Sequence, residues 1–89
     1  MGAEEGYDSP EEAARGDIPA QFFTVLGVRI DGDEGCVWSL TNDRPTFEAY
    51  EDVVVRRGSK WFWEGGSGGL GLTAPREIVE KAARLGYPV

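Results

Sequence analysis

Acid–base chemistry needs two carboxyls, or a carboxyl and a partner, held in a pocket that displaces their pKa values. The stretch from Phe47 to Arg56 offers Glu48, Glu51 and Asp52 for that work. Strand periodicity of two sets Glu51 on the face of Phe47, Ala49, Val53 and Val55, and Asp52 on the face of Tyr50, Val54 and Arg56. An inward Glu51 is either a site signal or a charge that guards an edge strand against sheet-to-sheet association. The second chemical feature is aromatic. Trp61, Phe62 and Trp63 are consecutive, so a strand there shows rings on both faces: one is core, and the other is covered by a helix, by a partner, or left as a patch. Trp and Tyr are enriched at binding hot spots. Trp38, Tyr50, Glu51, Trp61 and Trp63 are therefore the candidate ligand- or partner-binding residues, set against the plainer reading that a small domain spends its large side chains on core.

Two other clusters carry less. Gly66-Ser67-Gly68-Gly69-Leu70-Gly71 matches G-x-G-x-x-G after a strand and before a helix. The dinucleotide-binding unit, however, needs a parallel βαβ arrangement and an acid about twenty residues further on, and neither follows. The run is read as a flexible connector. Asp31, Asp33 and Glu34 crowd one turn, without the longer ligand series and distal Glu of an EF-hand, and are read as a solvated hairpin tip. With no His, every Ser-His or Cys-His dyad and every His-bearing metal site is excluded, and the single Cys36 excludes an internal disulfide and CxxC chemistry. No catalytic residue, metal ligand or cofactor is assigned, and whether the chain is an enzyme stays open, with a non-catalytic role favoured.

The elements that must position these groups follow from local grammar. Ser9-Pro10-Glu11-Glu12 is a capping box with Pro at the first helical position, and Gly16 and Pro19 limit that helix to about two turns, leaving Ala13 and Ala14 to dock it. From Gln21 to Ile30 the period becomes two, with Phe22, Thr24, Leu26, Val28 and Ile30 expected on one face. Asp31 to Gly35 is a hairpin turn, Cys36 to Thr41 a return strand with Cys36, Trp38 and Leu40 on one face, and Asn42 to Pro45 a second turn. Phe47 to Arg56 and Lys60 to Glu64 are the third and fourth strands, joined through Arg57-Gly58-Ser59. After the glycines, Thr73 and Pro75 start a helix carrying Ile78, Ala82 and Leu85 at helical spacing, stopped by Gly86 and Pro88. The expected fold is α+β: a four-stranded antiparallel meander with a short N-terminal helix and a C-terminal helix that either packs on the sheet or stays detached. Residues 1–8 are expected to be an acidic, flexible terminus and residues 9–89 one small domain.

Composition agrees with that size. The chain has 89 residues and a formal charge of −7. Residues 1–17 contribute six acids against Arg15, and residues 18–89 hold ten acids against eight bases, so the body is nearly neutral. An acidic chain without a basic block is a poor ligand for nucleic acid or anionic lipid, so neither nucleic acid nor membrane is an expected partner. The acidic end is read as a solvated tail, or as an arm for a basic protein. No apolar run approaches the ~20 residues of a membrane span. The start lacks a secretory pattern and the lone Cys fits a reducing compartment, which gives a cytoplasmic expectation.

The runs Ser9 to Ala20, Val28-Arg29-Ile30-Asp31-Gly32-Asp33, and Val53-Val54-Val55-Arg56-Arg57-Gly58-Ser59-Lys60-Trp61 resemble short proteins of unassigned function from GC-rich bacteria. More distantly, residues 9–64 resemble the curved-sheet half of cystatin-like or NTF2-like α+β folds. That resemblance implies a helix before a meander and, in larger members, a cone-shaped pocket for small apolar ligands, sometimes with an Asp–His pair, which this chain without His does not carry. The functional expectation is a small binding or protein-interaction module with an aromatic sheet face, forming a homodimer or meeting another protein, or taking a small apolar ligand. The alternative is a minimal ligand-sequestering protein or enzyme with inward Glu51 in an aromatic-lined pocket.

Overall fold

Ser9 opens the first helix: its Oγ accepts the backbone N–H of Glu12 at 3.2 Å, and the Glu12 carboxylate reaches back to the N–H of Asp8 at 3.2 Å. This is a capping box shifted one residue outward. The computed structural model describes residues 6–42, 48–70 and 74–88. Within them α1 (Pro10–Arg15) ends at Gly16, whose φ of 58° a residue with a Cβ rarely adopts. A single 3₁₀ turn (Ala20–Phe22) leads into β1 (Phe23–Asp31), followed by β2 (Glu34–Thr41), β3 (Glu48–Arg57), β4 (Lys60–Gly68) and α2 (Arg76–Arg84).

The strands form one antiparallel sheet in the order β1-β2-β3-β4, so the meander read from the turn chemistry is present. The β1–β2 hairpin turns through Gly32 and Asp33, with Asp31 opposite Glu34 and Gly32 at φ 67°. Arg56 anchors that tip from β3: its guanidinium pairs with the Asp33 carboxylate at 2.8 Å, and its backbone N–H donates to the Asp33 carbonyl.

Each face of the sheet carries one helix. Ala13 of α1 packs with Val37, Val54 and Trp61, flanked by Ala14, Val25 and Val28. On the opposite face Ile78 and Ala82 of α2 pack with Leu26, Trp38, Leu40 and Ala49. The C-terminal helix is thus docked. Its partner is the β1–β3 part of the sheet, where Gly27 gives it room, since a Cβ on Gly27 would run into Ile78 Cδ1. None of the helices in the described residues is long and apolar enough to cross a membrane.

Two β-bulges change what strict alternation predicts. In β1 the register shifts between Val25 and Gly27, which puts Leu26 under α2 while Val28 faces α1. The expected single face carrying both Leu26 and Val28 does not exist. In β4 the register shifts where Val53 pairs with Gly65 and Val54 with Trp63, leaving Glu64 as the extra residue. The strand does not stop at Glu64. It runs on through Gly65, Gly66, Ser67 and Gly68, paired with Val53 back to Tyr50, so the first half of the glycine run is sheet and not connector. The expected Thr73 cap, and Asp43 to Phe47 at the start of β3 and in its turn, lie outside the described residues.

Before α1 the chain lies along the outer edge of β4. Tyr7 and Trp61 exchange both backbone hydrogen bonds at 2.8 Å, and Asp8 pairs with Lys60. A strand edge that would otherwise offer free amides is covered at that point.

Candidate functional site

The candidate residues divide between the two faces. Trp38 and Glu51 are directly opposite each other on β2 and β3, beneath the α2 side. Trp38 is 3% exposed and its indole N–H donates to Glu51 Oε2 at 3.1 Å. The Cys36 thiol approaches the same oxygen at 3.6 Å, and the Arg29 guanidinium stacks 5.6 Å from the Trp38 ring centre. Burial, then the Glu51 charge and its hydrogen bond, push the Cys36 thiol up to about 11. A thiol held protonated in this way is a poor nucleophile. Glu51 therefore fastens core groups, and Tyr50 points to the other side of the sheet.

That other side holds Tyr50, Trp61 and Trp63. Trp61 is core, 7% exposed under α1, with Arg56 stacked 5.9 Å from its ring centre. Trp63, two residues on along β4, is 56% exposed. Phe62 between them lies under the Arg57 guanidinium, 5.4 Å from its ring centre. One ring of the aromatic triplet is thus consumed by the core and another left to solvent.

Trp63 stands beside a cleft of about 240 Å³ that opens between the end of α1 and the far ends of β3 and β4. Ala14 and Ile18 form the helix side, Phe23 and Tyr50 line it further, and Asp52 and Trp63 form its polar corner. The turn after α1 places Ile18 by a backbone hydrogen bond from its N–H to the Arg15 carbonyl at 3.1 Å. Asp52 is 8% exposed, and its Oδ1 accepts the Trp63 indole N–H at 3.0 Å. Burial raises the pKa of Asp52, and the Trp63 hydrogen bond partly offsets that rise. Glycine at position 66 is required by this carboxylate: Gly66 faces Asp52 across the strands, and a Cβ there would overlap Asp52 Oδ1. At the rim the Tyr50 hydroxyl donates to the Glu48 carboxylate, which raises the phenol pKa.

On the same face of the sheet β2 contributes two buried hydroxyls, Ser39 opposite Tyr50 and Thr41 opposite Glu48. Neither Ser39 Oγ nor Thr41 Oγ1 has a hydrogen-bond partner among the described residues. Among those residues, too, no three His, Cys, Asp or Glu side chains converge as a metal site would require.

Sequence reasoning placed Asp52 correctly on the Tyr50 face but did not connect it to Trp63 or to the cleft. The signal was distributed: an acid on one strand, an indole beyond a bulge on the next, and a glycine opposite the acid. The cleft's helix side, Ala14 and Ile18, could be seen only once α1 was docked. No family model, curated protein or solved structure matches the chain.

Proposed function

We propose that the chain is a small non-catalytic binding or protein-interaction module that works through the α1-bearing face of its sheet, at the cleft beside Trp63. The observation that carries this reading is the exposure of Trp63 at 56% beside a concave, largely aromatic and aliphatic surface with one buried carboxylate. A large ring left in solvent next to a ready-made depression is the usual composition of a recognition site, with apolar walls giving affinity and a few polar groups giving orientation. At about 240 Å³ the cleft is smaller than the roughly 300–1,000 Å³ that drug-sized ligands occupy. It suits one side chain or a small molecule of similar bulk.

The α2-side face supports this assignment by contrast. Its rings and its carboxylate are engaged with each other and with α2, through Trp38, Glu51 and Ile78. A screen of small probes, charged, neutral and aromatic, followed through amide and indole proton–nitrogen NMR spectra, tests the reading. Binding is expected to move the Trp63 indole signal together with the amides of Ala14, Ile18 and Gly66–Gly68. Shifts scattered over the surface, or concentrated at Cys36 and Glu51, would place recognition elsewhere and overturn it.

A further inference from the structure

The chemistry of the cleft also specifies its occupant. The wall is aromatic on two sides, Trp63 and Tyr50, and among the described residues the one charged group lining it is a carboxylate, Asp52. Among the described residues no basic side chain lines it and no cation pairs with Asp52, which accepts a hydrogen bond from a neutral indole. Glu48, held by the Tyr50 hydroxyl, adds negative charge near the rim. A buried carboxylate without a counter-ion is costly unless something pairs with it. Cations are drawn to such a carboxylate and to the faces of Trp and Tyr rings alike.

We infer that the cleft receives the ammonium group of a lysine side chain presented by a partner protein, with Asp52 as counter-ion and the Trp63 and Tyr50 rings flanking the methylene stem. This rests on the proposed use of the cleft and adds the identity of what enters it. Lysine is favoured over arginine by the state of the Asp52 carboxylate. Oδ1 already accepts the Trp63 N–H, so a guanidinium gripping both oxygens would have to share Oδ1 with the indole, which weakens the two-pronged pairing that makes it tight on a carboxylate. An ammonium is a point charge and needs one oxygen. A protein-borne lysine is favoured over a free amine because the cleft is open at the surface and walled by apolar groups along its length, which suits a stem attached to a backbone outside.

The test is an NMR titration of the full chain, read at the Trp63 indole N–H, with four probes: the capped tripeptide Gly-Lys-Gly, its arginine and norleucine counterparts, and n-butylammonium. The lysine peptide is expected to bind at least about tenfold more tightly than the norleucine peptide, the size of a hydrogen bond to a charged group, and more tightly than the arginine peptide or n-butylammonium. Asp52→Asn retains an oxygen for the Trp63 N–H and is expected to bring the lysine-to-norleucine ratio to near one. Equal binding of lysine and norleucine by the native chain overturns the cation while leaving the cleft as a binding site. A tighter arginine peptide overturns the choice of ammonium, and a tighter n-butylammonium overturns a partner protein as its source. If no probe moves the cleft signals, the proposed function falls as well. The native-chain comparison decides the matter even where Asp52→Asn is poorly folded.

Discussion

Glu51 and Asp52 are consecutive in β3, and each accepts an indole N–H, from Trp38 at 3.1 Å on one face of the sheet and from Trp63 at 3.0 Å on the other. The strand pleat makes neighbours point apart, so two adjacent acids serve two separate environments. On the α2 side the pair is closed in: Trp38 is core and Cys36 shares the Glu51 oxygen. On the α1 side the acid is buried but its indole is not, and a cleft adjoins them. The same pairing is therefore a fastening on one face and the corner of a binding surface on the other.

The buried Asp52 carboxylate gives stability a definite pH dependence. Its folded-state pKa is raised, chiefly by burial, so between the ordinary carboxylate value and that raised value the folded chain binds more proton than the unfolded one. The stabilising contribution of this group is present in full below the ordinary value and is lost as pH rises through the raised one. Asp52→Asn removes the cost of burying the charge while keeping an acceptor for Trp63. In denaturant titrations the variant is expected to be more stable than the native chain at pH 7, with the gap closing as pH falls through the Asp52 titration. A gap independent of pH would mean that desolvation and the Trp63 hydrogen bond cancel, and one of opposite sign at pH 7 that the hydrogen bond outweighs desolvation.

Cys36 reports on the other acid. With the thiol at about 11, alkylation at pH 8 is expected to run roughly a hundredfold slower than for a free thiol, because only the thiolate reacts. Glu51→Gln removes both a charge and a charged acceptor that hold the proton on sulfur. Reaction with a chromogenic disulfide should then quicken about tenfold. An unchanged rate would assign the protection to burial alone.

Glycines 65 and 66 should behave oppositely although they are adjacent in β4. A Cβ on Gly66 overlaps the Asp52 carboxylate, whereas one on Gly65 meets nothing. Gly66→Ala is expected to cost about 1–3 kcal/mol, the range for forcing atoms into filled space, and to shift the Trp63 indole signal. Gly65→Ala should be neutral or slightly stabilising, since Ala loses less backbone freedom on folding than Gly. Equal effects of the two substitutions in thermal melts would count against the carboxylate as the reason for glycine at 66.

These same residues mark where the fold was readable from residue order. The parity of Glu51 and Asp52, the Ser9 cap and the Gly32 hairpin are short-range matters, decided by the pleat, one hydroxyl and one positive φ. The bulges were not readable. Leu26 and Val28 are two apart, as alternation wants, and only the docking of α2 onto Leu26 across Gly27 explains the break. Glu64 followed by four small residues looks like a strand end, yet backbone pairing with β3 continues because hydrogen bonds need no side chains. The cleft depends on both of these long-range facts, and on α1 lying over the sheet, so its members never share a motif.

Ser39, opposite Tyr50, offers a test of the core on that face of the sheet. Its side chain is fully buried and its hydroxyl has no hydrogen-bond partner among the described residues. A buried polar group left unpaired costs free energy that an apolar replacement of similar size does not. Ser39→Ala is expected to raise stability by about 1 kcal/mol, measured as a higher denaturant midpoint with an unchanged slope. A loss of similar size would mean that the hydroxyl is hydrogen-bonded in solution.

The accessibility of the three indoles provides the last prediction and bears on whether copies of the chain associate. Trp38 and Trp61 are 3% and 7% exposed, against 56% for Trp63. In dilute solution acrylamide should quench one emitting component strongly and leave the rest nearly untouched, and Trp63→Phe should delete the quenchable component. That substitution also removes the indole N–H from Asp52 Oδ1, so it should destabilise the fold by about 1–3 kcal/mol, as expected for an acceptor left buried and unpaired. If the Trp63 face is the surface on which two copies meet, quenching of this component should fall as protein concentration rises, in step with a larger sedimentation coefficient. Constant quenching together with a constant monomer mass would leave the face free for a different partner, since an indole shielded at an interface cannot be reached by the quencher at the same rate.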